Sequence, residues 1–226
     1  MRRLSNPLAM GGAVQYLLSA NLAVFAVLYW FQLQNVGAYA WLIRTFGLIP
    51  ACITYAGSGL NPWIEQQCLY AYQIWQPFTY MFLHGGVWHV GFNMLALWMF
   101  GTVLERVWGM RRFFKYYLFC GVGAGLTVVL VAELTGSGAL VPTIGASGAV
   151  LGLLLAFGKL FPDNIIYLYF IPVKARYAVW IFGAFSLYFA VSGSFAGISH
   201  VGHLGGLLFG WIYMDGRRWW SRFVRR

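Results

Sequence analysis

The stretch VPTIGASGAVLGLLLAFGKLF, residues 141–161, decides how this chain is to be read. It is long enough to cross a hydrocarbon core of about 30 Å at about 1.5 Å per helical residue, and its only charge, Lys159, lies near one end. Within it Ser147 sits between Gly145-Ala146 and Gly148. A polar group in a bilayer is costly unless it pairs or faces a wet cavity, so this serine is an informative one.

Five further stretches of the same kind lie at 14–32, 84–104, 113–131, 177–194 and 197–214. The 226 residues are 61% hydrophobic and only 9% charged, which excludes an ordinary soluble domain. The expectation is an all-α membrane protein, a six-helix transmembrane bundle forming one polytopic domain over 1–226. Its parts are a cytoplasmic N-terminus at 1–13, an external interfacial loop at 33–83 and a basic cytoplasmic tail at 215–226. Arg2 and Arg3 precede the first stretch, but it is too long for a secretory signal and no small-residue cleavage site follows, so it reads as a retained helix.

The net charge of +10 raises the question of nucleic acid, and its distribution answers it. With the N-terminus inside, every one of the fifteen Lys and Arg residues except Arg44 falls on the cytoplasmic side. Both termini are then cytoplasmic and the spans even in number. The basic residues mark loops, not a nucleic-acid partner. In the tail, Arg alternates with Trp and Phe, which reads as a surface anchor drawn to anionic lipid.

In the 33–83 loop, aromatic residues such as Tyr39, Trp41, Trp63 and Trp75 suit the headgroup level. Cys52 and Cys68 also lie there. A disulfide between them is chemically permitted, but two unpaired, partly buried thiols are the expectation. Neither they nor Cys120 form a zinc pattern, and no metal or cofactor is expected.

All four histidines fall at the outer ends of spans. His84 and His89 begin the second, with Asn93 one turn on, and His200 and His203 begin the sixth. Spans two, four and six run in one direction, which places His89, Ser147 and His203 at a common depth of roughly 8–9 Å. A serine, an imidazole to take its proton and donors for an oxyanion are the parts of an acyl-transfer site. Gly148 and Gly152, and Gly202, Gly206 and Gly210, give two small faces on which these helices can meet. A lone serine among small residues would ordinarily just bond back to a carbonyl. Its combination with His203 on a matching helix favours chemistry.

Together these motifs resemble the rhomboid family. Gly145-Ala146-Ser147-Gly148 is similar to that family's Gly-x-Ser-Gly nucleophile motif, and His203-x-x-Gly206-x-x-x-Gly210 to its last helix. His89-x-x-x-Asn93 and Gly101-x-x-x-Glu105-Arg106-x-x-Gly109 agree as well. The resemblance implies an intramembrane serine endopeptidase acting on transmembrane protein substrates. In it Ser147 is the nucleophile and His203 the base, while His89, Asn93 and the backbone around Gly145 support the oxyanion. It also implies gate elements at Phe92, Trp180 and Phe182. No acidic residue is linked by motif to His203, which favours a dyad over a triad. His84, Glu105 and Arg106 are read as structural, and His200 as lining a water site or as a surface group.

Two departures from the family pattern stand out. Trp75-Gln76 occupies the place of a Trp-Arg pair, and Leu151 that of an aromatic residue stacking on the histidine. The alternative function is a non-catalytic rhomboid-like protein that binds transmembrane helices. A bacterial inner membrane is the expected location, with the site open to the periplasmic side.

Overall fold

The computed structural model describes residues 12–54, 68, 73–136, 138–168, 170–192 and 199–224, with the backbone alone at 168 and 217–224. Readings that concern Arg2, Arg3, Trp63, Glu65, position 197 and the side chains of the basic tail lie outside what is described.

Among the described residues the elements are α1 (Ala13–Gln34), α2 (Val36–Phe46), α3 (Pro50–Thr54), α4 (Gln76–Thr79), α5 (Val87–Trp108), α6 (Met110–Thr135), α7 (Ser147–Leu160), β1 (Ile165–Leu168), β2 (Ile171–Lys174), α8 (Ala175–Ser192) and α9 (His200–Val224). Helices α1, α5, α6 and α8 are long and apolar enough to cross a membrane. Helices α5, α6 and α8 surround α7 together with α9, and α1 packs against α5 and α6, in an all-α membrane bundle. Helix α7 has only 14 residues, about 21 Å, and nearly all of it is buried. It is the central post of the bundle, held by α5, α6, α8 and α9.

Three sequence expectations are corrected. Residues 141–146 are not the first turns of the fourth helix, because Pro142 disfavours helix for the residue before it and Gly145 takes φ +120. The segment runs extended, pairing Thr143 with Leu48 through two backbone hydrogen bonds of 2.8 and 2.9 Å. The loop at 33–83 is partly helical, in α2, α3 and α4. Finally, α9 continues past Met214 to Val224, so the basic tail extends the last helix.

Cys52 and Cys68, read as unpaired thiols, are joined in a disulfide with Cα atoms 5.4 Å apart. The chain turns back on itself after α3, and the Gln73 N–H donates to the Cys52 carbonyl at 3.1 Å. The bond closes a loop of 16 residues, for which chain entropy gives about 3 kcal/mol of stabilisation. Cys68→Ser is therefore expected to lower the unfolding free energy in detergent by about that amount. Equal denaturation midpoints for wild type and variant would show the disulfide to be dispensable.

Gly109, at φ +77, breaks the chain between α5 and α6 so that the two helices can turn back on each other. Just before it, the Glu105 carboxylate reaches α1 and accepts the N–H of Ala13 at 2.6 Å and of Val14 at 3.1 Å. Those donors have no partner inside their own helix, and negative charge there opposes the helix dipole favourably. Glu105 thus ties two helix ends together. Arg106 follows it on the exposed side of the same turn. Glu105→Ala should lower stability by about 2 kcal/mol, with Glu105→Gln in between, measured by denaturant unfolding in micelles.

At the same end of the molecule β1 and β2 form a hairpin, with Ile165 opposite Lys174 and Leu168 opposite Ile171. Asp163 holds its base through Lys174 and Arg176. Hydrogen bonds from these two cations keep the Asp163 carboxyl below the usual carboxylate range. A depressed carboxylate loses its pairing only as pH falls through the lowered value, so this tether persists at neutral and mildly acidic pH.

Candidate active site

Ser147 is the first helical residue of α7, reached through the extended segment 141–146. That segment is pinned at three places. Thr143 pairs with Leu48, the Gly145 N–H donates to the Tyr80 carbonyl at 2.9 Å, and the Ala146 N–H donates to His84 Nε2 at 3.5 Å. This pinning, and not helical turns counted from Val141, sets the depth of Ser147. The serine sits at a helix N-terminus, where the first N–H groups lack intrahelical partners and the dipole favours negative charge.

His203 comes from α9, one turn after its start. Ser199 caps that start, its Oγ accepting the Gly202 N–H at 3.2 Å and its carbonyl accepting the His203 N–H at 3.1 Å. Across the α7–α9 contact, His203 Nε2 and Ser147 Oγ are 2.8 Å apart. With Nε2 accepting the hydroxyl, the ring proton belongs on Nδ1. A Cβ added to Gly206 would lie 1.9 Å from the Gly148 carbonyl oxygen, so the two backbones touch directly one turn below the pair. Only hydrogen atoms at Gly206 permit that approach.

His89 stands on the opposite wall. The Gly85 N–H donates to its Nδ1 at 3.4 Å, which leaves the ring proton on Nε2. That nitrogen lies against Gly145, where a Cβ would come within 2.6 Å of it. Gly145 is therefore required twice, by its positive φ and by the imidazole over it. Asn93 is buried one turn further along α5 and uses one amide hydrogen on the His89 carbonyl at 2.8 Å. Its second amide hydrogen remains for other partners.

The structure thus brings Ser147, His203, Gly145 and His89 together, with Asn93 behind His89. His84 is buried, its ring edge-on to His89 at 5.0 Å, and it serves the Ala146 backbone. His200 lies between Phe189, at 5.2 Å, and His203, at 5.7 Å and perpendicular. With Leu151 in place of an aromatic residue, His200 is the ring beside His203. Of the family's implied gate residues, Trp180 lies at the other end of the bundle, lining a groove with Lys159 and Arg176.

Each described carboxylate is engaged elsewhere. Glu105 caps α1, Glu133 accepts from Thr54 Oγ1 at 2.8 Å, Asp163 pairs with Lys174 and Arg176, and Asp215 pairs with Lys159. Among the described residues none is hydrogen-bonded to His203.

Sequence reasoning missed Ser199 and Tyr80, and marked Gln76 only as a departure from a Trp-Arg pair. Ser199 carried a signal, a capping residue just before a helix. Tyr80 holds α6 through its hydroxyl, which donates to the Gly121 carbonyl at 2.7 Å, and holds the serine segment through its own carbonyl. Gln76 is fully buried, accepting the Ile49 N–H at 2.9 Å and donating to the Arg44 carbonyl at 3.1 Å. It clamps the loop, a part that uncharged Gln fills without desolvating a guanidinium.

A family model described as the Rhomboid domain matches residues 71–218. Rhomboid protein 1, mitochondrial, of Saccharomyces cerevisiae is 34% identical over 135 residues, covering 58% of this chain and 38% of that protein. Rhomboid protease GluP of Bacillus subtilis is 34% identical over 142 residues, 61% of this chain and 25% of that protein. Rhomboid-related protein 3 of Homo sapiens is 38% identical over 84 residues, 37% and 19%. The chain therefore spans well under half the length of each of these relatives. The domain match takes in α4 through most of α9 and includes every residue of the serine–histidine site, so this integral membrane protein belongs to the rhomboid family.

Proposed function

We propose that the protein is an intramembrane serine endopeptidase that hydrolyses peptide bonds in or near transmembrane segments of other membrane proteins. The 2.8 Å contact between Ser147 Oγ and His203 Nε2 carries this reading, because it joins a nucleophile to its base across two helices. Ser147 Oγ attacks the scissile carbonyl while its proton passes to His203 Nε2. The developing oxyanion is met by the N–H groups opening α7, by His89 Nε2–H and by Asn93. His203 then gives its proton to the leaving amine, and water releases the acyl group from Ser147 by the same steps in reverse order.

Orientation follows from charge. Both termini and the hairpin lie on the cytoplasmic side, and the dyad opens to the opposite face, the periplasmic one in a bacterial inner membrane. A substrate helix enters beside Phe92, which is exposed on α5, and beside the upper part of α8, where Phe189 meets His200.

A fluorophosphonate probe tests the reading without a known substrate. Wild type in liposomes is expected to be labelled, and Ser147→Ala and His203→Ala are not. Folded wild type that resists both this probe and a second serine-reactive reagent would instead favour a non-catalytic protein that binds transmembrane helices.

A further inference from the structure

One cavity among the described residues lies outside the dyad. It is a groove of about 700 Å³ between α7, α8 and α9, whose basic end is remote from Ser147 and whose other end reaches Leu204, the residue after His203. Lys159, twelve residues along α7 from Ser147, is about 18 Å away from it. The groove's walls are apolar, with Val179, Gly183 and Leu187 on α8 and Leu204, Leu208 and Trp211 on α9. Among the described residues its only charged lining groups are Lys159 and Arg176, both at one end. From Arg176 to Leu187 the groove follows α8 for about 16 Å. That is half of a hydrocarbon core of about 30 Å, the depth of one leaflet.

We infer that this groove binds an anionic phospholipid, with an acyl chain along α8 and α9 and the phosphate at Lys159 and Arg176. The inference goes beyond the protease reading and stands whether or not Ser147 is a nucleophile.

Charge at the mouth favours an anion. Lys159, Lys174 and Arg176 face only Asp215 and Asp163, so three cations share two carboxylates. Arg217 and Arg218 follow Asp215 after a single glycine in the sequence. The ion pairs are partly exposed and each contributes little, so a phosphate can share their cations at small cost.

The hairpin marks the bilayer surface at this level. Phe170, at 93% exposure, with Tyr167 and Ile171, presents apolar rings and chains beside Lys174 and Arg176. Apolar groups next to cations are the composition of a segment lying in the headgroup region. Trp180, 77% exposed at the basic end of the groove, suits the same level. A zwitterionic lipid would fill the apolar part equally well but would gain less from the cations.

Native mass spectrometry of the full chain, released from detergent with dioleoyl phosphatidylglycerol or dioleoyl phosphatidylcholine, tests the site. Wild type is expected to retain the glycerol lipid several-fold more than the choline lipid. The double variant Lys159→Gln/Arg176→Gln should bring that ratio to near one. Gly183→Leu should reduce retention of both lipids several-fold by filling the groove. A Cβ there meets only Leu207 at an ordinary 3.6 Å, so the helix itself tolerates the change. Leu187→Trp, from a side chain that is already exposed, provides a second block. Equal retention of the two lipids by folded wild type overturns the inference. So does unchanged retention in both blocking variants, which would mean surface attraction only. A dimer peak that vanishes with Gly183→Leu would overturn it too, by making a second copy the occupant.

Discussion

Replacing His203 with alanine is expected to lower cleavage of a transmembrane reporter in liposomes by about 10⁴- to 10⁶-fold, and Ser147→Ala by at least as much. The magnitude follows from the geometry of the pair. His203 Nε2, 2.8 Å from Ser147 Oγ, is the base placed to take the hydroxyl proton. His89 has its Nε2 proton in place and its Nδ1 occupied by the Gly85 N–H, so it donates and does not accept. Without His203 no base stands within hydrogen-bond reach of the serine hydroxyl among the described residues. The double variant Ser147→Ala/His203→Ala should be no slower than either single one, because the two groups act as a unit. Losses that add in the double variant would show that they act separately.

The same experiment distinguishes a dyad from a triad. Removing the aspartate of a triad costs about 10⁴-fold. Here Glu133→Gln, Asp163→Asn and Asp215→Asn are each expected to leave cleavage within about 10-fold of wild type, since these carboxylates hold Thr54, the hairpin and Lys159. A loss of the larger size in any of them would identify a third member.

Gly206→Ala is expected to reduce cleavage by about 10²-fold or more, though Gly206 touches no reacting atom. Its new Cβ would stand 1.9 Å from the Gly148 carbonyl oxygen, a backbone atom that no side-chain rotation can move aside. Ordinary carbon–oxygen contact needs about 3.3 Å, so α9 must withdraw from α7 by roughly 1.4 Å. His203 lies one turn away on α9 and moves with it. Its nitrogen then leaves hydrogen-bond range of Ser147, and a misplacement of about 1 Å costs about 10²-fold. Gly91→Ala is the control, because a Cβ there meets nothing within 4 Å. A Gly206→Ala protein that is folded, fully labelled by the probe and fully active would show that the close crossing does not set the dyad.

Several features were legible in the residues themselves. Hydrocarbon thickness and helix rise dictate how long an apolar stretch must be, so α1, α5, α6 and α8 could be read directly from their composition. The cost of polar groups in lipid singled out Ser147, the histidines and Asn93. The Gly206 and Gly210 spacing announced a close helix crossing. Hydropathy alone could not show that residues 141–146 are extended. Their apolar side chains look like helix, and what decides their shape is pairing with Leu48 and Tyr80, 60 or more residues earlier in the chain.

The sequence by itself determined that this chain lives in a membrane, which polar side chains are the candidates for chemistry and which helices carry small faces for close packing, because burial cost and periodicity are local properties of the residues. Only the tertiary structure decided the rest. It put Ser147 at a helix N-terminus, set His89 Nε2 against Gly145, joined Cys52 to Cys68, and opened a groove with Lys159 and Arg176 at one end. Each of these depends on distances between segments far apart along the chain, which no local pattern encodes.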